Sequence, residues 1–398
     1  MDNVFDEIIE RGNTDSLKYD FAVRRGKPAD VLPLWVADMD FRAPACVQDA
    51  LAARARHGIF GYSDSREDYY FVLREWFKRR HGWAIKEDWL VKSPGVVFAL
   101  YNLIQALTRA GEAVIIQQPV YYPFADAVND TGRVLTVNRL VYKNGEYSID
   151  FDDFEDKISK NRVRLFIACN PHNPVGRVWR REELDLLGRI CLKHGVIVIS
   201  DEVHQDFIYA GNRHLVFADI NPEFPDNTVT CTAPSKTFNL AGLKASNIFI
   251  ANKTLRDKFR KQLTSTGYGE PNVMGLTACK AACREGDVWL DNLLAYLAEN
   301  IAFVREFVRE RLPGVSMVEP EGTYLIWLDF NALGLGAREL DEIILSRAKL
   351  WLDAGTMFGA GGEGFQRINI ACPRAILREA FARLQRTLAE KGIAGKIL

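Results

Sequence analysis

The residues best suited to covalent chemistry centre on Lys236, within the segment Ala233-Pro234-Ser235-Lys236-Thr237. A lysine framed by small residues, directly after an apolar run, is a candidate for Schiff-base chemistry. Such an amine must be held away from bulk water, so that its pKa falls and it can condense with an aldehyde. An isolated Ser-Lys pair is more often an ordinary loop lysine ahead of a helix, so the interpretation depends on which residues share its site.

Polar segments follow three apolar runs of strand length. The segments are Asn170 to Gly176 after Val163 to Cys169, Asp201 to His204 after Val196 to Ser200, and the Lys236 segment after Thr228 to Cys231. In open α/β sheets, ligands bind beyond the carboxyl ends of the strands. One sheet edge is therefore predicted to gather an amide, a carboxylate, an imidazole and an amine.

A fourth segment, Ser93 to Val97, opens a helical pattern and offers a site for an anion. Free backbone N–H groups and the helix dipole suit a phosphate there, although alone the segment is an ordinary helix start. Asp201 alone would be a strand-end cap, but a buried carboxylate facing a protonated ring nitrogen forms a strong charge-assisted pair. An imine-forming amine, a phosphate cradle and such a carboxylate together are what pyridoxal 5′-phosphate (PLP) requires. We therefore predict PLP as the cofactor.

The elements that must position these residues alternate between strands and helices. Helices are predicted over Val96 to Arg109 and over Arg181 to His194, the second ending at Gly195 as its C-cap. Further strands are predicted at Ala113 to Gln117 and Asn247 to Ala251. Near-continuous apolar strands alternating with helices indicate an α/β fold with a mostly parallel sheet that is covered on both faces.

The C-terminal part changes character and is predicted to be a smaller α+β domain. Its predicted elements are a long helix at Val288 to Leu312, a strand at Tyr324 to Leu328, a helix from about Arg338 to Lys349 and a strand at Arg367 to Ile370. We place the large PLP-binding domain at residues 48–287. Residues 1–47, as an N-terminal arm, and 288–398 form the small domain.

Composition and charge exclude several classes of function. The chain has 398 residues, of which 48% are hydrophobic and 26% charged, and its formal net charge is −1. Without a basic stripe or an apolar run of about 18 residues, nucleic acid and membrane are not predicted as partners. The acidic start, Met1 to Glu7, predicts a cytoplasmic protein. The seven scattered cysteines are predicted to be free thiols; Cys279 and Cys283 have no histidine partner, and no metal site is predicted.

Several ordered motifs together resemble a known family. Asn-Pro-x-Asn-Pro-x-Gly, Asp-x-x-His, Ser-Lys and a late Arg-x-Asn resemble the fold-type I PLP enzymes of the aspartate aminotransferase superfamily. More specific motifs resemble its MalY/PatB-type C–S lyases, the group that includes cystalysin. These motifs are Leu34 to Phe41, Gly61-Tyr62, Pro119 to Phe124, Pro171 to Trp179 and Gly362 to Asn369. The resemblance runs from the first dozen residues almost to the end of the chain.

The resemblance implies roles for residues around the ring of the cofactor. Lys236 and Tyr121 are the implied catalytic residues: Lys236 forms the imine with PLP and later moves the α-proton, and Tyr121 stacks on the pyridine face. Asp201 pairs with the pyridine nitrogen, and Asn173 hydrogen-bonds the ring hydroxyl. His204 stands where aminotransferases commonly carry a tyrosine, and histidine there is typical of the lyase subgroup.

The resemblance also implies residues for the phosphate and the substrate. The phosphate contacts are Gly95, Val96, Val97, Ser235 and Lys244, together with Tyr62 from a neighbouring subunit. Many relatives carry an arginine at Lys244 and Ser or Thr at Ala233, so the phosphate contacts depart most from the family pattern. Arg367 binds the substrate α-carboxylate, and Ala37 and Tyr122 also face the substrate.

The implied activity is a C–S β-lyase that acts in a homodimer. It would convert cystathionine, cysteine or an S-substituted cysteine into a thiol or sulfide, pyruvate and ammonia. Two alternatives stay open at the level of sequence. An aminotransferase of the same fold would return the proton to the cofactor instead, and a PLP-binding regulatory protein would act by docking a transcription factor.

Overall fold

The computed structural model describes residues 4–392, and its centre is a seven-stranded sheet. In spatial order the strands are Leu90–Ser93, Ser246–Ile250, Thr228–Thr232, Ile197–Asp201, Leu165–Cys169, Ala113–Gln118 and Val134–Arg139. Ser246–Ile250 runs antiparallel to both of its neighbours, and all other pairings are parallel. The predicted mostly parallel sheet is confirmed, with strand boundaries that differ by one or two residues. The carboxyl ends of six strands therefore meet at one edge.

Both faces of the sheet are buried, as the continuous apolar strands predict. Within Ala113–Gln118, Val114 and Ile116 join one core cluster, while Ala113 and Ile115 join another on the opposite face. One face is covered by the helices Val96–Leu107, Pro123–Asp130 and Lys253–Ser265, and the other by Phe151–Asn161 and Arg181–His194. Arg181–His194 has its predicted bounds, and Gly195 ends it in the left-handed region at φ 65°.

The C-terminal part builds a second sheet that is antiparallel throughout. Its strands, in spatial order, are Ser316–Val318, Leu325–Asp329, Phe365–Asn369 and Asp353–Ala354. The long helix Asp287–Arg311 and the helix Arg374–Glu390 contribute to the same core cluster as this sheet. The N-terminal arm joins here, because Leu32–Pro33 pairs in parallel with Leu350–Trp351. The boundaries predicted for two domains stay a prediction, and their terminal residues 1–3 and 393–398 lie outside the described residues.

The predicted helix from Arg338 to Lys349 is only partly α-helical. An α-helix covers Ala337–Asp341, and a π-helix follows at Glu342–Arg347. The wider turn is closed by Ala348 N–H, which donates to the carbonyl oxygen five residues earlier. Leu340, Ile343 and Ile344 are all buried. Their i, i+3 and i+4 spacing is that of an ordinary helix face, so the apolar pattern does not distinguish the π-helix from an α-helix.

The remaining elements complete the surface around the two sheets. They are the helices Ala45–His57, Glu67–His81, Pro234–Thr237 and Val273–Glu285, and the hairpin Val141–Lys143 with Glu146–Ser148. Among residues 4–392, no helix combines the length and the apolar character needed to cross a membrane.

Candidate active site

Lys236 lies in the short helix Pro234–Thr237, directly beyond the strand Thr228–Thr232. Its side chain is half-buried, and its amine donates a hydrogen bond of 2.7 Å to the carbonyl oxygen of Ala37. Burial lowers the pKa of this amine from its ordinary value to about 8, with Arg367 adding to the decrease and Asp38 and Asp201 opposing it. A substantial fraction of the amine is therefore neutral, and nucleophilic, near neutral pH.

Asp201 is the last residue of the strand Ile197–Asp201 and is 5% exposed. Within the described chain its carboxylate accepts one hydrogen bond, of 3.1 Å, from the N–H of Val203. Burial raises the pKa of this carboxyl to about 7, against the opposing influences of that hydrogen bond and of Lys236. A buried carboxyl that accepts only one hydrogen bond in the described chain is suited to a cationic partner such as a protonated ring nitrogen.

Asn173 links the ring site to the substrate side of the site. Its backbone carbonyl accepts from the N–H of Tyr121 at 3.0 Å, and its side-chain carbonyl accepts from Arg367 at 2.9 Å. The side-chain oxygen is thereby engaged, and the NH₂ group is left as the donor. The half-buried Tyr121 has a phenol whose pKa burial raises, so the hydroxyl stays protonated.

His204 is buried three residues beyond Asp201, and among the described residues its Nδ1 has no hydrogen-bond partner. Burial lowers the pKa of this imidazole well below its ordinary value, with Lys236 and Arg367 acting in the same direction. The ring centroid is 5.7 Å from that of Tyr324, whose hydroxyl donates to the Ala37 carbonyl at 3.0 Å. His204 is therefore a neutral group, and it has a buried nitrogen available to a ligand.

Arg367 is 2% exposed and is already paired with a carboxylate of the chain. Its guanidinium forms an ion pair with Asp353 and donates to Asn173 and to the carbonyl oxygen of Trp35, the latter at 3.0 Å. Its Nε is buried without a partner in the described chain. Burial raises the pKa of the Asp353 carboxyl, with Arg367 opposing the shift. A substrate carboxylate at Arg367 therefore has to share the guanidinium with Asp353.

Sequence reasoning missed Asp353, although the sequence carries a signal for it. Asp353 ends the apolar run Leu350 to Leu352 and faces Arg367 across an antiparallel pair of strands. A carboxylate in a buried strand needs a cationic partner. That requirement predicts a buried cation for Asp353, although the choice of Arg367 depends on the register of the two strands.

Three of the predicted phosphate contacts, Gly95, Val96 and Val97, lie at the start of the helix Val96–Leu107. Its N-cap, Gly95, has an extended backbone, and no atom lies within 4 Å of the position that a Cβ would take. The first N–H groups of a helix have no partner inside it, so those of Val96 and Val97 are available to an anion. Ser235 is half-buried, whereas Lys244 is exposed beyond the turn Ala241–Leu243.

Tyr62 is not brought to the site within one chain. Its side chain is 95% exposed, and its neighbours Ile59 and Phe60 are exposed by 65% and 59%. No hydrogen bond or ring contact in residues 4–392 joins Tyr62 to the residues around Lys236.

The segment Val36 to Phe41 includes the carbonyl oxygen of Ala37, which accepts the hydrogen bond from Lys236. Two asparagines hold this segment. Asn239 donates to the carbonyl oxygens of Met39 and Phe41 at 2.9 and 3.0 Å. Asn369 donates to those of Val36 and Asp38 at 2.8 and 2.6 Å. Asn239 stands three residues after Lys236, and Asn369 stands two residues after Arg367. The segment is thus tied to both ends of the site.

Buried charges hold the same segment from the N-terminal side. Lys18 is fully buried and its amine lies 2.8 Å from the carboxylate of Asp40, while Arg11 contacts Asp38 and Asp40 at 2.7 and 2.6 Å. Asp38 in turn raises the pKa of Lys236. The sequence motif Leu34 to Phe41 therefore positions the carbonyl oxygen of Ala37, which no side-chain pattern indicates.

Comparisons with known proteins agree with this geometry. Residues 29–384 match the model of the family described as aminotransferase class I and II. The chain is 45% identical to the cystathionine β-lyase PatB of Bacillus subtilis over 97% of this chain and all of that protein. It is 31% identical to protein MalY of Escherichia coli, over 99% and 97% of the two chains. The structure of cystalysin from Treponema denticola, which contains a pyridoxal 5′-phosphate cofactor, superposes with a TM-score of 0.94 at 37% identity, covering 98% of this chain and all of that one.

Proposed function

Because this chain belongs to the aminotransferase class I and II family, we propose that it is a PLP-dependent carbon–sulfur lyase. The observation that carries the proposal is that Lys236 and the buried Asp201 stand at the carboxyl ends of neighbouring parallel strands, where the pKa of the Lys236 amine falls to about 8. The reaction class follows relatives named cystathionine β-lyase, of which one is 45% identical over nearly the whole chain.

The residues at the sheet edge fit PLP in charge and in space. Asp201 is a buried carboxyl with one hydrogen bond in the described chain, and it suits the protonated pyridine nitrogen. The open space beside Gly95, at a helix N-terminus, suits the phosphate. Lys236 supplies the amine that bonds the aldehyde, and Asn173 supplies a donor for the ring hydroxyl.

Other residues would complete the cofactor site. Tyr121 supplies a flat half-buried ring for stacking, and His204 a neutral imidazole close to the same edge. Ser235 and Lys244 would add a hydroxyl and a charge at the phosphate.

Bound PLP would act as an electron sink that makes the substrate α-proton removable and allows a β-thiolate to leave. Arg367 orients the amino acid by its α-carboxylate, which shares the guanidinium with Asp353. Lys236 takes the α-proton and delivers a proton to the departing sulfur. One group can serve in both steps because its pKa lies near the working pH. In the PLP-free chain, the carbonyl oxygen of Ala37 holds the amine in place before it bonds the cofactor.

The net reaction consumes water and balances without a second substrate. An S-substituted cysteine loses its α-proton and its thiolate, and addition of water to the remaining three carbons gives pyruvate and ammonia. Cystathionine, cysteine and S-alkylcysteines all satisfy this scheme. The lyase reaction does not use a 2-oxo acid. An aminotransferase of the same fold requires one, and this difference separates the two activities.

We further propose a homodimer whose active sites are shared between subunits. The support is the exposed cluster of Ile59, Phe60 and Tyr62, which leaves large apolar side chains in solvent in a single chain. Tyr62 would then reach the phosphate site of the partner chain. The cytoplasmic location stays a prediction from sequence.

The test is turnover of L-cystathionine by the purified, PLP-loaded protein with every 2-oxo acid omitted. We expect pyruvate and ammonia to appear in equal amounts. Addition of 2-oxoglutarate should leave the rate unchanged. Absence of pyruvate without a 2-oxo acid, together with amino transfer when one is supplied, would contradict the lyase.

A further inference from the structure

A cavity of about 390 Å³ opens beside the carboxylate-binding arginine. Its wall includes Trp35 and Asp353, the two residues that hold one nitrogen of the Arg367 guanidinium. Tyr122 also lines it. Trp35 and Asp353 therefore stand between this cavity and Arg367, the residue proposed to bind the substrate α-carboxylate.

One wall of the cavity is apolar and firmly packed. The indole rings of Trp35 and Trp351 stack with their centroids 4.3 Å apart and their planes inclined by 9°, and both residues are buried. Ala22, just before the turn that edges the cavity, packs into the same cluster. A methylene or thioether chain would lie against this surface at little cost.

The rim carries two positive charges that form no ion pair in the described chain. Arg25 and Lys27 line the cavity and form no ion pair there. The Arg25 guanidinium lies 5.4 Å from the Trp35 ring centroid, and Lys27 is half-buried. Burial raises the pKa of the Asp353 carboxyl, and the positive charge of Lys27 opposes that shift. The charge of Lys27 therefore acts on the wall of the cavity where Asp353 lies.

Backbone hydrogen bonds fix the turn that carries these two residues. Lys27 N–H donates to Ala22 O at 2.9 Å, and Gly26 N–H donates to Val23 O at 3.0 Å, with Gly26 in the left-handed region at φ 69°. Both contacts close the turn that begins with the short helix Val23–Arg25.

The two carboxylates of the wall differ in their partners. Asp353 is paired with Arg367, whereas Asp341 accepts a hydrogen bond of 3.0 Å from the neutral side-chain amide of Gln366 and keeps its negative charge. The two cations Arg25 and Lys27 therefore outnumber the one wall carboxylate that has no cationic partner in the described chain.

We propose that Arg25 and Lys27 select sulfur amino acids whose leaving half carries a carboxylate, which this cavity receives. The inference rests on the proposed function, because β-elimination fixes one half of the substrate at Arg367 and Lys236 and leaves only the thiol half to vary. Rim charges on an open cavity act in a partly solvated setting, so each has a moderate effect on selectivity.

The test compares three cysteine thioethers of similar length: S-(2-carboxyethyl)-, S-propyl- and S-(2-aminoethyl)-L-cysteine. We expect the wild type to prefer the anionic thioether, measured as the ratio of its kcat/KM to that of the propyl compound. Lys27→Met and Arg25→Met should each lower this ratio by about fivefold, and the double variant by more than tenfold. Lys27→Glu should reverse the preference toward the aminoethyl compound.

Arg24→Met is the matched control, because Arg24 lies in the same turn, is exposed and does not line the cavity. It should leave all three ratios unchanged. An unchanged ratio in the Arg25→Met/Lys27→Met double variant would overturn the proposal.

Binding separates this proposal from the lyase activity itself. The α-methyl analogues of the anionic and propyl thioethers have no α-proton and are not turned over. They share the half that binds at Arg367, so the ratio of their calorimetric dissociation constants reports the contribution of the thiol half. Loss of the anionic preference in the double variant supports the proposal even without turnover. Equal dissociation constants for the two analogues in the wild type would overturn it, whereas a wild type that turns over none of the three thioethers would contradict the proposed function.

Discussion

The titration of Lys236 gives the sharpest quantitative prediction. With a pKa of about 8, roughly a tenth of the amine is neutral at pH 7. An ordinary lysine with a pKa of about 10.4 has roughly one neutral molecule in 2,500 at the same pH. The protein therefore raises the nucleophilic fraction at Lys236 about 200-fold, through burial of an amine whose hydrogen-bond acceptor is the uncharged carbonyl of Ala37.

The assay is competitive trace acetylation of the PLP-free protein from pH 6 to 11, read on the Lys236 peptide by mass spectrometry. The same peptide labelled in 8 M urea is the reference. We expect a labelling midpoint near pH 8 in the folded protein and near 10.4 in urea. A folded midpoint at or above 10 would refute the account of how this lysine is activated.

The signs of two variants check the physical cause. Asp201 raises the pKa of Lys236, so Asp201→Asn should lower the midpoint; Arg367 lowers it, so Arg367→Met should raise it. Because the folded pKa lies below the unfolded one, the unfolded state binds more protons between about pH 8 and 10.4. The free energy of unfolding of the PLP-free wild type should therefore rise with pH across that window, relative to Lys236→Met.

Three further substitutions separate the roles around Lys236. Asp201→Asn should raise the dissociation constant for PLP by about 10- to 100-fold, the value of a charged hydrogen bond, in an absorbance titration; an unchanged constant would exclude the pyridine contact. Arg367→Met leaves Asp353 buried without its cation and should lower the free energy of unfolding, measured in urea, by about 3–5 kcal/mol. The double variant Arg367→Met/Asp353→Leu should recover most of this loss. Equal stability of the single and double variants would show that the unpaired Asp353 is not the cause of the loss. Gly95→Ala should leave the melting temperature of the PLP-free protein unchanged, because the added Cβ meets no atom within 4 Å. The same substitution should weaken PLP binding about tenfold. An unchanged affinity for PLP would place the phosphate elsewhere.

The sheet edge could be predicted from sequence because it depends on the parallel direction of the strands and not on their order. Asn173, Asp201 and Lys236 each follow an apolar run, and parallel strands bring their carboxyl ends together. The same rule predicted which side of the sheet carries the chemistry. Local signals also sufficed for the helix Arg181–His194 and its cap at Gly195.

The contacts that hold the amine of Lys236 and the guanidinium of Arg367 could not be predicted from strand direction. Lys236 donates to the backbone of Ala37, 199 residues away, and a carbonyl oxygen has no signature in sequence. The pairing of Arg367 with Asp353 depends on the register of two antiparallel strands. The π-helix Glu342–Arg347 also escaped prediction, because the buried Leu340, Ile343 and Ile344 have the same spacing as an α-helical face.

The most direct test of the central claim compares the wild type with Lys236→Ala. Both proteins are given L-cystathionine with no 2-oxo acid present, and the released thiol and pyruvate are measured. The wild type should release homocysteine and pyruvate in a ratio of one to one, and Lys236→Ala should release neither above background. Substantial turnover by Lys236→Ala, or release of neither product by the PLP-loaded wild type, would contradict a carbon–sulfur lyase centred on this lysine.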